Sequence, residues 1–583
     1  MFIADFFDFI DTHAKKYRTK LAMLILSSTV AGCFEFAGLS LIWIFVLLLT
    51  KNSIETPFFH FNNSSKVALF LGIAVAIIYI LKDIFMIAHI NFQNMLLADI
   101  SDSIFKKNYS CFISQNYLTI SKIAPSDKLR ILDNSLTTII NGFLGAVLSF
   151  FANSIVALGI ISYLFIKFRA TAIIIGLFIF TIWYFESKYF KNRSKLYGEK
   201  SHIAERNKHN FTLSTINAQK DIVIYNKRNN FTKEAYKLQK ISSYQKRKIQ
   251  TNLQIPTYIT EIGVMGAFVL FVVLMLLNNH TNAELGAGLA ALAAVILRIV
   301  PNINKIQNCI QGINSTKAEL IWFKNMTSPI YNNTENTFHT NEKLPFEECI
   351  EFTNVNFCYK KENYALKDVN FKIYKNEFIG IIGPSGSGKT TLFNLLCGLF
   401  EPYSGEIKTD NKILKQNDIK LWQNNISILS QDYSLPFDTV WQNVALEPNA
   451  KANKDEGRIT EALKAANIYD EIQNNIFKNV NELSCGQRHR VALARVFYFN
   501  RDIIMLDEAT SALDVQTENE ISKSIESIKG KKTIIAIAHR LTTLKNCDRI
   551  IYMNKGKIVD IGTFLELENK HPTFKELIKL SQF

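Results

Sequence analysis

Two segments of this 583-residue chain carry residue types that act on phosphates. In the first, the apolar run Phe378–Ile382 leads into Gly383-Pro384-Ser385-Gly386-Ser387-Gly388-Lys389-Thr390-Thr391, and a helix-like stretch, Leu392–Leu399, follows. This is a Gly-x-x-x-x-Gly-Lys-Thr loop in the strand–loop–helix setting it needs. The glycines let backbone N–H groups converge on phosphate oxygens, and the next helix points its positive end at them. Lys389 is placed to reach the β- and γ-phosphates of ATP, and the Thr390 hydroxyl to ligate Mg²⁺. In the second segment, the apolar run Asp502–Leu506 ends in Asp507-Glu508. Asp507 suits the Mg²⁺ shell, and Glu508 suits a general base that polarises an attacking water.

Between these lies Leu483-Ser484-Cys485-Gly486-Gln487-Arg488. The order of the three segments resembles the ATP-binding cassette (ABC) family, closely so over about 345–565. Further positions agree with it. Tyr359, in Phe357-Cys358-Tyr359, matches the tyrosine that stacks on adenine. Gln431 matches the glutamine that bridges Mg²⁺ and the membrane domain. Asp514, in Ser511-Ala512-Leu513-Asp514, lies in the loop that crosses to the partner subunit, and His539 matches the histidine at the γ-phosphate. The resemblance thus implies one nucleotide held by Tyr359, Gly383, Ser385, Gly386, Ser387, Gly388, Lys389, Thr390 and Thr391. Glu508, His539 and Gln431 are then the catalytic set, and Thr390, Gln431 and Asp507 face the metal. Ser484, Gly486, Gln487 and Asp514 serve the partner's nucleotide. Two departures stand out: Cys485 replaces the first glycine of the family's Leu-Ser-Gly-Gly-Gln signature, and Phe477–Glu482 replaces a Gly/Glu-rich segment upstream.

Such an engine needs elements that hold it and something to drive. Hydrophobic residues make up 48% of the chain and charged ones 20%, and Phe occurs 44 times. The mean hydropathy of +0.07 averages two unlike halves. Residues 1–330 carry a net charge of +16 and residues 331–583 a net of −1. The first half holds six apolar stretches near the ~20 residues that span a bilayer as a helix: 21–50, 67–90, 143–166, 171–190, 255–277 and 283–303. Loop charge orients them. Lys15, Lys16, Arg18 and Lys20 precede the first span, and 16 Lys and Arg fall within 188–248. Both termini and the cassette are therefore expected in the cytoplasm. The basicity reads as a topology signal and not as a nucleic-acid footprint. Residues 2–12 place apolar side chains among aspartates, as in a helix lying on a membrane surface. The eight cysteines form no C-x-x-C pair, so neither a zinc ribbon nor a disulfide scaffold is expected.

The expected architecture is a membrane α-helical domain of six spans over 1–326, a polar linker at 327–346, and an α/β P-loop nucleotide-binding domain over 347–583. The resemblance implies the type I ABC exporter fold, with the two composite ATP sites of a dimer, a homodimer in the simplest case. The expected activity is ATP-driven export or flipping of an amphiphilic substrate across a bacterial inner membrane, with ATP and Mg²⁺ as cofactors. Ionisable groups inside spans are costly and mark function or mutual pairing; here they are Glu35, Lys82, Asp83, Glu261 and Arg298. Span five (Ile255-Pro256 to Glu261) and the run Arg298-Ile-Val-Pro301-Asn302-Ile-Asn304-Lys305-Ile306 resemble bacterial lipid-linked oligosaccharide flippases. That makes Arg298, Glu35 and Glu261 candidate substrate contacts, with Arg298 suited to a pyrophosphate head group. The short polar loop 51–66 departs from those flippases, which carry an external helix there. The alternative cargo is a peptide or a hydrophobic drug.

Overall fold

The computed structural model describes residues 2–50, 53–55, 60–62, 65–277, 282–332, 342–360, 363–449, 455–507, 515–538 and 541–580. It divides into two compact units. One comprises Met1–Gln115 and Thr119–Glu335, and the other Asn336–Phe583 with Asn116–Leu118.

The first unit is helical: α1 (Phe2–His13), α2 (Arg18–Thr50), α3 (Ser65–Ser114), α4 (Gly145–Asn217), α5 (Arg228–Leu277) and α6 (Asn282–Asn332). Most of these helices are far longer than a soluble domain needs, and apolar side chains cover them on several faces. Met23, Leu26 and Val30 on α2 and Leu69, Phe70, Ile73 and Ile77 on α3 are exposed. An apolar surface of that extent is what lipid would cover. By length and composition, Lys15–Val46, Leu69–Ser114, Pro125–Tyr163 and Arg228–Leu270 can cross a membrane. They contain the expected spans one, two, three and five, apart from a few terminal residues. The side chains of most of 171–190 and 283–303 lie outside the described residues. Ser53–Glu55 and His60–Asn62 pair as a small antiparallel hairpin in the loop after α2.

α4 is helical over 73 residues, yet it is not straight. A Cβ at Gly142 would press on Thr316, and one at Gly198 would press on Ser315. A straight helix would separate positions 142 and 198 by about 84 Å at 1.5 Å per residue. Ser126 bonds Asn210, and Arg130 bonds His202, so the partners run in opposite directions along the chain. The chain therefore doubles back between Gly142 and Gly198, an interval that contains the break between expected spans three and four.

α1 divides its apolar residues: Ile3 and Phe7 are exposed, as in a helix on a membrane surface, and others pack on the protein. Phe6, Phe9 and Ile10 join a core with Ile100, Ile139, Phe143 and Phe323. Asp5 and Asp8 accept from Lys317 (2.9 Å) and Lys324 (2.6 Å), tying α1 to α6. The lysines spaced along α6 fix which side of α1 meets the protein.

Two sheets build the second unit. β4 (Asn363–Tyr374), β3 (Cys349–Lys360), β6 (Ser404–Thr409) and β7 (Lys412–Ile413) form an antiparallel sheet in that order. The other sheet runs β12 (Lys557–Gly562), β11 (Arg549–Asn554), β5 (Phe378–Ile382), β10 (Thr533–Ile537), β9 (Ile503–Asp507) and β8 (Ile426–Leu429). It is parallel except for the β11–β12 pair. Strands β5, β9 and β10 are buried throughout, as their unbroken apolar runs require when both faces are covered.

Candidate nucleotide site and the charges of the helical unit

Parallel strands bring their carboxyl ends to one edge, where open α/β sheets bind ligands. Register fixes which residues meet there. Ile381 pairs with Ile537, Ile537 with Asp507, and Leu506 with Leu429. The phosphate loop follows β5, Asp507 ends β9, and Gln431 lies two residues past β8. Glu508, Asp514 and His539 lie outside the described residues.

The loop is built for close backbone approach. Gly386 and Gly388 have φ of +76° and +100°, a region that favours glycine. Gly388 caps α7 (Lys389–Leu396). Ser387 and Lys389 are buried, whereas Ser385, Gly386 and Thr390 are exposed. The Lys389 ammonium donates to Gly383 O at 2.8 Å and Pro384 O at 3.2 Å, spanning its own loop. Thr391 is buried, with its hydroxyl 3.0 Å from the Tyr359 hydroxyl. Tyr359 packs edge-on against Phe357 and Phe400, at 5.1 and 5.8 Å, and leaves part of its ring open. Thr390 and Asp507 offer a hydroxyl and a carboxylate, oxygen donors that suit Mg²⁺ completing its shell with water and phosphate oxygens.

Ser484 caps α8 (Cys485–Phe499) through a reciprocal capping box: its Oγ accepts from Gln487 N–H at 3.2 Å, and its own N–H donates to Gln487 Oε1 at 3.0 Å. Gln487 also donates to Glu471, which Arg490 grips through two bonds of 2.6 Å. Gly486 is half-buried and Cys485 is exposed. The Tyr433 hydroxyl donates to Cys485 O at 3.4 Å. The Ser-x-x-Gln spacing carried the capping box. Glu471 and Tyr433 came from distant segments with no comparable signal.

The helical unit sorts the expected substrate contacts. Glu35 is buried and accepts from Lys82 at 2.8 Å, while Lys82 also reaches Asp83 at 3.2 Å. Arg298 stands 4.0 Å from the same Glu35, lies 4.4 Å over the Tyr79 ring, and has its side chain 37% exposed. Glu261 is exposed on α5. A buried polar ladder also emerges that sequence reasoning missed. Gln307 donates to Glu186 at 2.6 Å and accepts from Thr260, and Asn252 bridges Ser194 and Gln311. Among the described residues, no group of three or more His, Cys, Asp or Glu could hold a metal ion.

Comparison with known proteins agrees with this geometry. The ABC transporter family profile matches residues 366–511. An ATP-dependent lipid A-core flippase of Ralstonia nicotianae is 38% identical over 239 residues, 40% of each chain. One from Desulfotalea psychrophila is 37% identical over 227 residues, 38% of this chain and 40% of its own. The match thus spans about two-fifths of the length of these relatives. A bacterial Atm1-family ABC exporter with ATP bound superposes with a TM-score of 0.79 over 97% of this chain and 98% of its own, at 18% identity. That likeness shows the fold: a type I exporter arrangement of helices followed by a nucleotide-binding domain.

Proposed function

We propose that this chain, an ABC exporter half-transporter by its domain and fold, binds and hydrolyses ATP to move an amphiphilic, phosphate-bearing lipid outward across the inner membrane. The observation that carries the reading is the convergence of the phosphate loop, Asp507 and Gln431 at one sheet edge, on a chain whose whole length follows an exporter fold.

In this reading the loop amides and Lys389 hold the β- and γ-phosphates, and Tyr359 stacks on the base. Thr390, Asp507 and Gln431 would hold Mg²⁺, which would supply neutralisation of the phosphate charge. Glu508 orients and deprotonates the attacking water, and His539 contacts the γ-phosphate. Ser484, Gly486, Gln487 and Asp514 complete the site of a second copy, so the working unit is a dimer, and a homodimer has two equivalent sites. Closing the two cassettes on ATP drives the helical units from inward- to outward-facing as rigid bodies.

The similarity to lipid A-core flippases and the half-open Arg298 support an anionic lipid head as cargo. A guanidinium stacked on Tyr79 is oriented for bidentate phosphate binding. Glu35, spent on Lys82, is a positioning residue beneath it. The test is a proteoliposome assay with a labelled polyprenyl-pyrophosphate oligosaccharide. ATP-dependent loss of label from the cassette-facing leaflet supports the reading. Movement of a hydrophobic peptide or drug in place of the lipid overturns the cargo assignment.

A further inference from the structure

A cavity of about 450 Å³ opens among the helical extensions of the first unit. Asp127, Arg130, His202, Glu205, Arg206 and Lys246 line it, with hydroxyls from Thr137, Thr138 and Ser201. It lies well along α4 and α6 from Arg298: Glu319, on its wall, is 21 residues further on, about 30 Å of helix. Its size is that of a small-molecule site. The chain around Arg130 and Thr138 is π-helical, a geometry that recurs at functional sites.

Charge is layered within it. Asp127, Glu319 and Glu205 have side chains only 5, 11 and 20% exposed, whereas Arg206, His209 and Lys246 are 42, 48 and 59% exposed. The carboxylates lie deep, together with Arg130 and His202 at 10 and 14% exposure, and Arg206, His209 and Lys246 form the accessible rim. Glu319 is held by Arg130 at 2.5 Å, His202 at 2.6 Å and the Ser135 hydroxyl, and Arg130 stacks 4.5 Å over Trp322. Asp127 accepts from Arg206 at 2.7 Å. Glu205 alone faces Lys246 at 2.9 Å, Lys208 at 3.2 Å and His209 at 3.5 Å, besides the Ser242 hydroxyl. Two lysines share the single Glu205 carboxylate, Lys246 on the cavity wall and Lys208 off it, so this side of the rim keeps one positive charge in excess.

We propose that this cavity binds a phosphate-bearing anion on the extensions, before or apart from the span-level site at Arg298. Several donors of different kinds around one opening suit a tetrahedral dianion: a guanidinium, an ammonium, an imidazole and hydroxyls. The phosphate belongs either to the head group of the transported lipid or to a free soluble compound.

The test uses the full chain in phosphatidylcholine nanodiscs, with Lys389→Ala so that the phosphate loop does not compete. Binding of labelled inorganic pyrophosphate is measured by equilibrium dialysis. One saturable site per chain is expected, weakened about tenfold by Lys246→Gln and kept by Lys246→Arg. Lys246 is well exposed, so its loss leaves the fold intact. Lys237→Ala, on an exposed pair outside the cavity, controls for bulk charge. Absence of saturable binding, or equal affinity in Lys246→Gln, overturns the proposal. A second arm, with Lys389 intact, measures the stimulated-to-basal ATPase ratio with a polyprenyl pyrophosphate in the disc. A lower ratio in Lys246→Gln assigns the phosphate to the lipid head; an unchanged ratio beside lost pyrophosphate binding assigns it to a free compound. Only this arm rests on the proposed function. If lipid stimulates no variant, that reading fails while the dialysis still decides the cavity.

Discussion

Lys82 on α3 donates to Glu35 on α2 at 2.8 Å, with both side chains only 7% exposed. The pair joins two helices where neither charge reaches solvent. Arg298 approaches the same carboxylate at 4.0 Å but keeps an open face. Similar residue types thus hold two positions of different consequence.

Lys82→Met strands a buried carboxylate, and breaking such a pair costs about 3–5 kcal/mol. The thermal midpoint of the purified protein should fall sharply. Glu35→Gln combined with Lys82→Met should recover much of the loss, because both charges then leave together. Arg298→Ala should barely change the midpoint but lower the ATPase stimulation by lipid pyrophosphate. Undiminished stimulation in that variant excludes the head-group role.

Cys485 is exposed at the first position of α8, where the proposed dimer closes on the partner's nucleotide. A thiol differs from the family's glycine by a small side chain, and a bulky adduct there is expected to block closure. N-ethylmaleimide should inhibit the ATPase of the wild type, and Cys485→Gly should keep activity and lose the sensitivity. Equal inhibition of both proteins would place the reactive thiol elsewhere.

Ser484→Ala removes the cap of α8 and frees Gln487 from its reciprocal bond. The cost in stability should be about 1 kcal/mol, as for other cap losses. The ATPase loss should exceed that effect, because Ser484 also faces the proposed nucleotide. Hydrolysis falling only in step with stability would reduce Ser484 to a cap.

His13 sits between Phe9, Phe323 and Tyr331. Burial and then the nearby Lys107 push its imidazole down from 6.5 to about 4. The folded state therefore favours the neutral ring. The associated stability is complete above the unfolded value and is lost as pH falls from 6.5 towards 4. The thermal midpoint of the wild type should drop between those values more than that of His13→Phe. Parallel curves would show that α1 docking does not depend on His13.

Sequence showed the engine more fully than the scaffold, and the reason is distance along the chain. The phosphate loop, Asp507-Glu508 and the Ser484–Gln487 signature are each contiguous, so they could be read along the sequence, although the cap that Ser484 makes was not. Strands β5 and β9 were visible as apolar runs, whereas β10 was not read. The ladder from Glu186 through Gln307 to Thr260 joins residues 47 and 121 positions apart, and the Arg130–Glu319 pair spans 189. No local period announces such partners. α1 was legible as an amphipathic helix, but not which of its apolar residues meet the protein: Phe6, Phe9 and Ile10 do, beside Lys317 and Lys324 on α6, while Ile3 and Phe7 stay exposed.

The account turns on Glu508 acting as the base beside a phosphate loop that holds Mg·ATP. The most direct measurement is steady-state Mg·ATP hydrolysis by wild type and Glu508→Gln, with ATP retention measured on the same samples. The variant should hydrolyse at least about 100-fold more slowly, the scale of a lost general base, while binding ATP as tightly as the wild type. Hydrolysis at the wild-type rate in Glu508→Gln would contradict the account.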